Sequence, residues 1–277
     1  LKTFVDRWGA HNEGKNWKLN GASFAPSSQN PGGGVTMQVT HTYGKGYPFR
    51  DAVRSAADAQ IKLVQTATQY VYYEDQYLIG SAEIAQALKD KLDGNRDFVV
   101  IGVMAPSIIV SDLPWIRERR SDFWLPLDDK FGLSENNRVL LFEMLNDNGS
   151  DNGPGAYLHN KMTIVDDEIA TVGSVNFSRR SWTHDSEVMA SFGGTGGTVP
   201  VNLEQGNGSI VRKVRLMRWA RHLNQAPAQI DRWPDALARW RNPQSNHLRA
   251  WRPSLNLLDP ITEPVYQKTY DLVLDPP

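Results

Sequence analysis

Val35–Tyr43 (VTMQVTHTY) alternates apolar and polar positions and reads as a β-strand. Phe49–Val64 carries apolar residues at helical spacing, at Phe49, Ala52, Val53, Ala56, Ala57 and Ile61. Tyr70–Ile79 is aromatic and β-branched, which suits a strand. Ser81 then stands where a helix cap belongs, ahead of Ile84, Ala87 and Leu88 as the buried stripe of a helix running to Leu92. Phe98–Met104 (FVVIGVM) is a continuous apolar run, the mark of a strand covered on both faces. This β-α-β-α-β order argues for an α/β layered fold.

Beyond residue 105 the pattern loosens. Trp115–Trp124 mixes Trp and Phe with Arg117, Arg119 and Arg120, and is read as a partly buried amphipathic segment rather than a lipid-docking surface. Ser134–Leu145 fits a helix or an irregular excursion, and 149–155 is a turn-rich loop. Ala156–Val165, Glu168–Val172 and Asp185–Phe192 read as three strands, and 193–200 as a Gly-rich loop. Ile210–Leu223 is an amphipathic helix with a basic face. The pattern predicts a connecting segment over 1–34, an α/β domain over 35–224 that holds the candidate chemistry below, and an irregular C-terminal tail packed on it over 225–277.

Composition narrows the function classes. The 277 residues are 40% hydrophobic and 22% charged, enough for a sizeable core. With no cysteine there is neither a disulfide nor a thiolate metal site. A formal net charge of −1 lacks the electrostatic footprint usual for nucleic-acid binders. No run reaches the length of a membrane span. The first residues, LKTFVDRW, have neither a starting Met nor the charged and apolar regions of a signal peptide, and read like the interior of a longer chain.

The chemistry concentrates in Leu158–Asp166 (LHNKMTIVD). On a strand, His159 and Lys161 share one face and Asn160 and Met162 the other. A turn at Asp166 returns the chain to Gly173-Ser174-Val175-Asn176, bringing Ser174 and Asn176 toward the His159/Lys161 end, with Gly173 permitting close backbone approach. One imidazole, one ammonium, one hydroxyl and one amide suit a phosphodiester. Lys161, Ser174 and Asn176 would hold the non-bridging oxygens. A histidine near its ordinary pKa can attack phosphorus or protonate a leaving alkoxide. Such a set asks for no metal and no cofactor.

The pattern H-x-K-x4-D followed by G-S-x-N resembles the HKD motif of the phospholipase D superfamily, with His159, Lys161 and Asp166 in the first part and Gly173, Ser174 and Asn176 in the second. Tyr73–Leu78 (YEDQYL) resembles the family's strand with an acidic or amide residue and a Gln, which places Glu74 and Gln76 beside the pocket. Arg179–Glu187 (RRSWTHDSE) resembles the segment that follows G-S-x-N in bacterial members, and makes Glu187 an acid that orients an active-site imidazole. Val214–Leu223 resembles the closing helix of eukaryotic-type enzymes, and Phe4–Trp8 (FVDRW) the F-x-x-R-W that follows a first HKD motif.

The resemblance implies a layered α-β-α sandwich with a mixed sheet, one half of the pseudo-two-fold phospholipase D fold. It also implies a glycerophospholipid phosphodiesterase working through a phosphohistidine, on phospholipid at a membrane surface, in a protein secreted or delivered to a target membrane. Family members use two HKD motifs around one site, but none of His11, His41, His184, His222 and His247 has Lys two residues on. The resemblance therefore makes this the second motif, with His159 as general acid/base. The first would come from an N-terminal half, an arrangement the F-x-x-R-W favours over a homodimer. Asp166 then fixes the turn. Nucleic-acid cleavage and a non-catalytic scaffold remain as alternatives, disfavoured by the near-neutral charge and the intact motif.

Overall fold

The computed structural model describes residues 35–46, 50–107, 116–130, 137–146, 157–193 and 209–253. The 1–34 segment with its F-x-x-R-W, the loop at 149–155, most of 193–200 and the last part of the tail lie outside them.

One sheet of nine strands organises the described residues. β1 (Thr36–Tyr43), β2 (Val53–Arg54), β3 (Tyr70–Asp75), β4 (Val99–Met104) and β5 (Val139–Met144) come first. β6 (Lys161–Val165), β7 (Ile169–Gly173), β8 (Glu187–Gly193) and β9 (Leu248–Trp251) follow. Their spatial order is β2-β1-β8-β7-β6-β3-β4-β5-β9. β3, β4 and β5 run parallel, and every other pairing is antiparallel. The sheet is thus mixed, as the α/β reading requires.

Helices cover both faces. α1 (Ser55–Thr66), α2 (Ala82–Gly94), α3 (Ile116–Trp124) and α4 (Arg179–Thr183) precede α5 (Ile210–Leu223) and α6 (Trp233–Arg241). Ala57, Val64, Leu88, Trp124 and Trp182 pack on the face that carries Val71 and Tyr73. Val211, Trp219, Leu223 and Trp240 pack on the face that carries Tyr70 and Tyr72. The sheet is therefore the middle of three layers. It explains why every residue of β3 and β4 is buried and why neither strand alternates in hydropathy. Among the described residues no helix is long and apolar enough to cross a membrane.

Several elements differ from the sequence reading. Ser134–Leu145 contributes β5 rather than a helix; VLLFEM, covered on both faces, has no strand periodicity to read. The helix expected from Phe49 starts at Ser55, because Val53 and Arg54 pair with Tyr43 and Thr42 instead. The strand expected to Ile79 stops at Asp75, and Leu78 turns the chain at φ 52°. Ser81 holds the N-cap position of α2, but its side chain makes no capping bond.

The tail is the largest difference. Its described part holds α6 and β9, and β9 pairs with β5 as an edge strand. Trp240 is wholly buried. Pro234 sits in the first turn of α6, where a missing N–H costs nothing, so it opens the helix rather than breaking it. In the arginine-rich segment, Trp124 is wholly buried, as the amphipathic reading expects, and so is Arg120, which that reading does not anticipate; Trp115 lies outside the described residues.

Candidate active site

β6 runs antiparallel to β3, with Lys161 directly opposite Asp75 and Met162 opposite Glu74. Side chains alternate across a sheet, so Lys161 shares a face with Asp75, and Glu74 belongs to the other. The Lys161 ammonium donates to Oε1 of Gln76 at 2.9 Å and to the carbonyl of His159 at 2.9 Å. Gln76 spends its Nε2 on the hydroxyl of Tyr157 at 2.7 Å. The Tyr157 ring in turn lies against the His159 imidazole, with centroids 5.8 Å apart. Lys161, Gln76, Tyr157 and His159 thus form one chain of contacts at the start of β6. His159 is exposed, and among the described residues no hydrogen bond holds its imidazole.

Asp75 lies beneath this chain and is fully buried. Its Oδ1 accepts from the N–H groups of Tyr77 at 2.7 Å and Leu78 at 3.2 Å, and its Oδ2 from that of Phe177 at 2.8 Å. One carboxylate therefore ties the end of β3 to the segment just past Asn176. Burial raises the Asp75 pKa, opposed by the three N–H groups and the Lys161 charge. Burial lowers that of Lys161, opposed by Asp75 and Glu187. The ammonium is thus poorly hydrated and feels the charges of two carboxyls, a state in which an incoming phosphate oxygen meets little competition from water.

Ser174 and Glu187 form the other wall. The Ser174 hydroxyl donates to Oε2 of Glu187 and accepts from the N–H of Val188 at 3.1 Å. Oε1 of Glu187 accepts from the Ser181 hydroxyl at 2.8 Å. Burial raises the Glu187 pKa, with the two hydroxyls and Lys161 pulling against it and Asp185 adding to it. Glu187 therefore holds two serines here, rather than an imidazole. Ser174 would have to leave Glu187 to reach a phosphate. Asn176 has its Oδ1 buried without a hydrogen-bond partner among the described residues. Gly173 lets β7 and β8 touch, since a Cβ there would sit 2.2 Å from the Val188 carbonyl oxygen.

Asp166, the motif residue expected to fix the turn, is at the far end of β6, about 17 Å along the strand from Lys161. Its Oδ2 accepts from the N–H of Thr68 at 2.6 Å and the Thr68 hydroxyl at 2.9 Å, and its Oδ1 from the N–H groups of Gln69 at 2.9 Å and Tyr70 at 2.8 Å. It staples the β6–β7 turn to the start of β3 and does not reach the Lys161 cluster. Glu74 corrects the sequence reading. It faces Arg218 and His222 of α5, across the sheet from Lys161. Strand parity would put Gln76 on the same face as Glu74, but β3 ends at Asp75 and Gln76, just past it, turns back to the site.

Three contributors were not singled out from sequence. Asp75 could have been found from parity, as an acid aligned with Tyr73 at the end of a buried strand. Tyr157 shares the parity of His159 and Lys161. Arg120 gave no signal at all. It is wholly buried in α3 and donates to the carbonyls of Gln76 at 2.7 Å and Tyr77 at 2.7 Å, fixing the loop that presents Gln76.

The profile of the cardiolipin synthase, PLD-like domain matches residues 61–195, a span that runs from α1 past β8 and holds the whole cluster from Asp75 to Glu187. Over residues 61–195 the chain carries a phospholipase D-like domain. Among curated relatives it is 29% identical over 130 residues to a cardiolipin synthase of Staphylococcus aureus, covering 47% of this chain and 22% of that protein. It is 28% identical over 130 residues to cardiolipin synthase 2 of Staphylococcus epidermidis, with the same coverage. The chain thus spans about a fifth of the length of the curated relatives it matches. Among solved structures, phosphatidylserine synthase of Haemophilus influenzae superposes with a TM-score of 0.52 at 10% identity, over 86% of this chain and 46% of that one. That likeness shows the shared fold. The phospholipase D family member Nuc of Salmonella typhimurium aligns with a TM-score of 0.40 at 15% identity, over 79% of this chain and 99% of that one.

Proposed function

We propose that this phospholipase D-like domain supplies one of the two H-x-K half-sites of a phosphodiesterase that hydrolyses or exchanges the head group of glycerophospholipids at a membrane surface. The observation that carries this reading is the buried Lys161 ammonium, held by Gln76 opposite Asp75 and subject to the charges of Asp75 and Glu187, with the exposed imidazole of His159 held by no hydrogen bond among the described residues. The relatives' name, cardiolipin synthase, supports a phospholipid as substrate.

In this mechanism a histidine from another segment or chain attacks phosphorus and forms a phosphohistidine. His159 gives its proton to the leaving alkoxide. It then removes a proton from the water or alcohol that attacks phosphorus and breaks the P–N bond. Lys161, with Asn176 and a released Ser174, takes up charge on the non-bridging oxygens. The double displacement divides one high barrier into two lower ones. An N-terminal half bearing the first motif would supply the attacking histidine, and a second copy of this chain would be the other source.

The test uses the longest natural chain that carries this domain, offered phosphatidylcholine and phosphatidylglycerol vesicles. Head-group release and an acid-labile phosphoenzyme are expected. His159→Ala and Lys161→Ala should each lower turnover by about 10²–10⁴-fold, the range for losing a positioned acid or a charge-stabilising group. Unchanged turnover in His159→Ala removes the reading. Plasmid cleavage without head-group release replaces the lipid with nucleic acid as substrate.

A further inference from the structure

The sheet face opposite Lys161 carries a second polar cluster, and it closes on the residue between His159 and Lys161. Glu74 is fully buried. Its Oε2 accepts from the Tyr72 hydroxyl at 3.1 Å and from Nε of Arg218 at 3.0 Å. Its Oε1 accepts from Nη2 of Arg218 and from Nδ2 of Asn160 at 2.7 Å. Nε2 of His222 lies 3.4 Å from Oε2. These partners fill about the four lone-pair positions a carboxylate offers, so Glu74 has none left for a proton in transit.

Of those partners, Tyr72 is in a central strand and Arg218 and His222 are one helical turn apart on α5. Asn160 is the exception. It belongs to the extended segment 157–160, ahead of the first paired residue of β6. The segment is gripped from both faces: Lys161 bonds the His159 carbonyl on one side, and Glu74 bonds Asn160 on the other.

We propose that Glu74, fixed by Arg218 and His222, is a positioning residue that acts through Asn160 to set the backbone between His159 and Lys161, and hence the direction of the imidazole. The proposal rests on the catalytic reading of His159 given above. It assigns Glu74 a task that its place on the far face otherwise leaves unexplained. A tie at this point is efficient, because an exposed imidazole without a hydrogen bond of its own takes its orientation from the backbone and from Tyr157. Misplacement of a reacting group by about 1 Å can cost about 10²-fold in rate.

The decisive variant is Asn160→Ala, which cuts the tie and leaves the Glu74–Arg218 pair in place. In the full-length protein kcat should fall about 10–100-fold, with KM within about twofold and the melting temperature nearly unchanged. Glu74→Gln, which can still accept from Asn160, should recover more kcat than Glu74→Ala. A second readout needs no turnover. With ring-labelled histidine, assigned through His159→Ala, the His159 resonance should shift or broaden in Asn160→Ala. An unchanged kcat together with an unchanged His159 resonance would overturn the proposal and leave Glu74 as a structural ion-pair partner. If the wild-type protein turns over no phosphodiester, the catalytic reading fails by itself, and the His159 resonance still decides whether Asn160 positions the ring.

Discussion

At the scale of single residues, two carboxyls adjacent in sequence do opposite things because a strand sends them to opposite faces. Asp75 is buried on N–H groups beneath Lys161, and its pKa is raised. Burial pushes Glu74 up too, but hydrogen bonds and charge from His222 and Arg218 more than reverse this and hold it at about 2, against an ordinary 4.5. A carboxyl lowered in the folded state stabilises the fold fully above its unfolded pKa, and that stability is lost as pH falls through the folded value. Glu74 should therefore contribute roughly 3 kcal/mol that disappears between about pH 4.5 and pH 2. Urea unfolding at pH 7, 4 and 3 should show this slope in the wild type and a shallower one in Glu74→Gln. Equal slopes would mean that the buried cluster is not linked to folding. The residue types H-x-K, G-S-x-N and E-x-Q were legible in the chain. The direction of Glu74 relative to Lys161 was not, because it depends on the register of β6 against β3.

At the scale of elements, the β6–β7 hairpin shows how a motif residue far from the chemistry can still matter. Asp166 and Asp167 take φ of 54° and 60°, as the two central residues of a type I′ turn do. Asp166 then bonds three successive N–H groups at the entry to β3, which fixes β6 against β3 in the register that sets Lys161 opposite Asp75. Asp166→Ala leaves those N–H groups without their acceptor and a β-carbon residue at positive φ without a side-chain bond to compensate. A loss of about 2–4 kcal/mol in denaturant unfolding is expected. The residual activity of molecules that remain folded should stay within about tenfold of wild type. A loss of activity as large as that of Lys161→Ala, with stability intact, would instead place Asp166 in the chemistry. Turn character at this position was readable from composition. Its hydrogen bonds were not, since Thr68 and Tyr70 are nearly a hundred residues away in sequence.

For the whole molecule, the boundary at about residue 225 is the feature that tertiary structure redrew. Trp240 lies among Tyr72, Phe142 and Trp219, with ring centroids 5.3–5.9 Å apart, so α6 closes the core on the face that also buries Glu74. β9 covers the edge of β5, which would otherwise offer unpaired N–H and C=O groups. A chain ending after Asn224 should lose cooperative unfolding and aggregate, checked by thermal scans and light scattering on the two lengths. A truncated chain with a sharp, unshifted transition would mean that 225–277 adds nothing to the cooperative core. The Trp and Pro content that suggested an irregular tail is the content of an amphipathic helix, opened by Pro234, that buries Ala236 and Trp240.

Local pattern alone determined most of the strand and helix types through Met104, the α/β class and the residue types of the proposed site, because hydrophobic periodicity and residue type are properties of short stretches. Contacts across the sheet decided which of those residues share a pocket. They turned Glu74 away from Lys161, gave Ser174 and Ser181 to Glu187, recruited Arg120 and Tyr157, and made a core helix of the tail. Those outcomes depend on strand order and register, which bring together groups tens of residues apart and leave no trace in any one window of the chain.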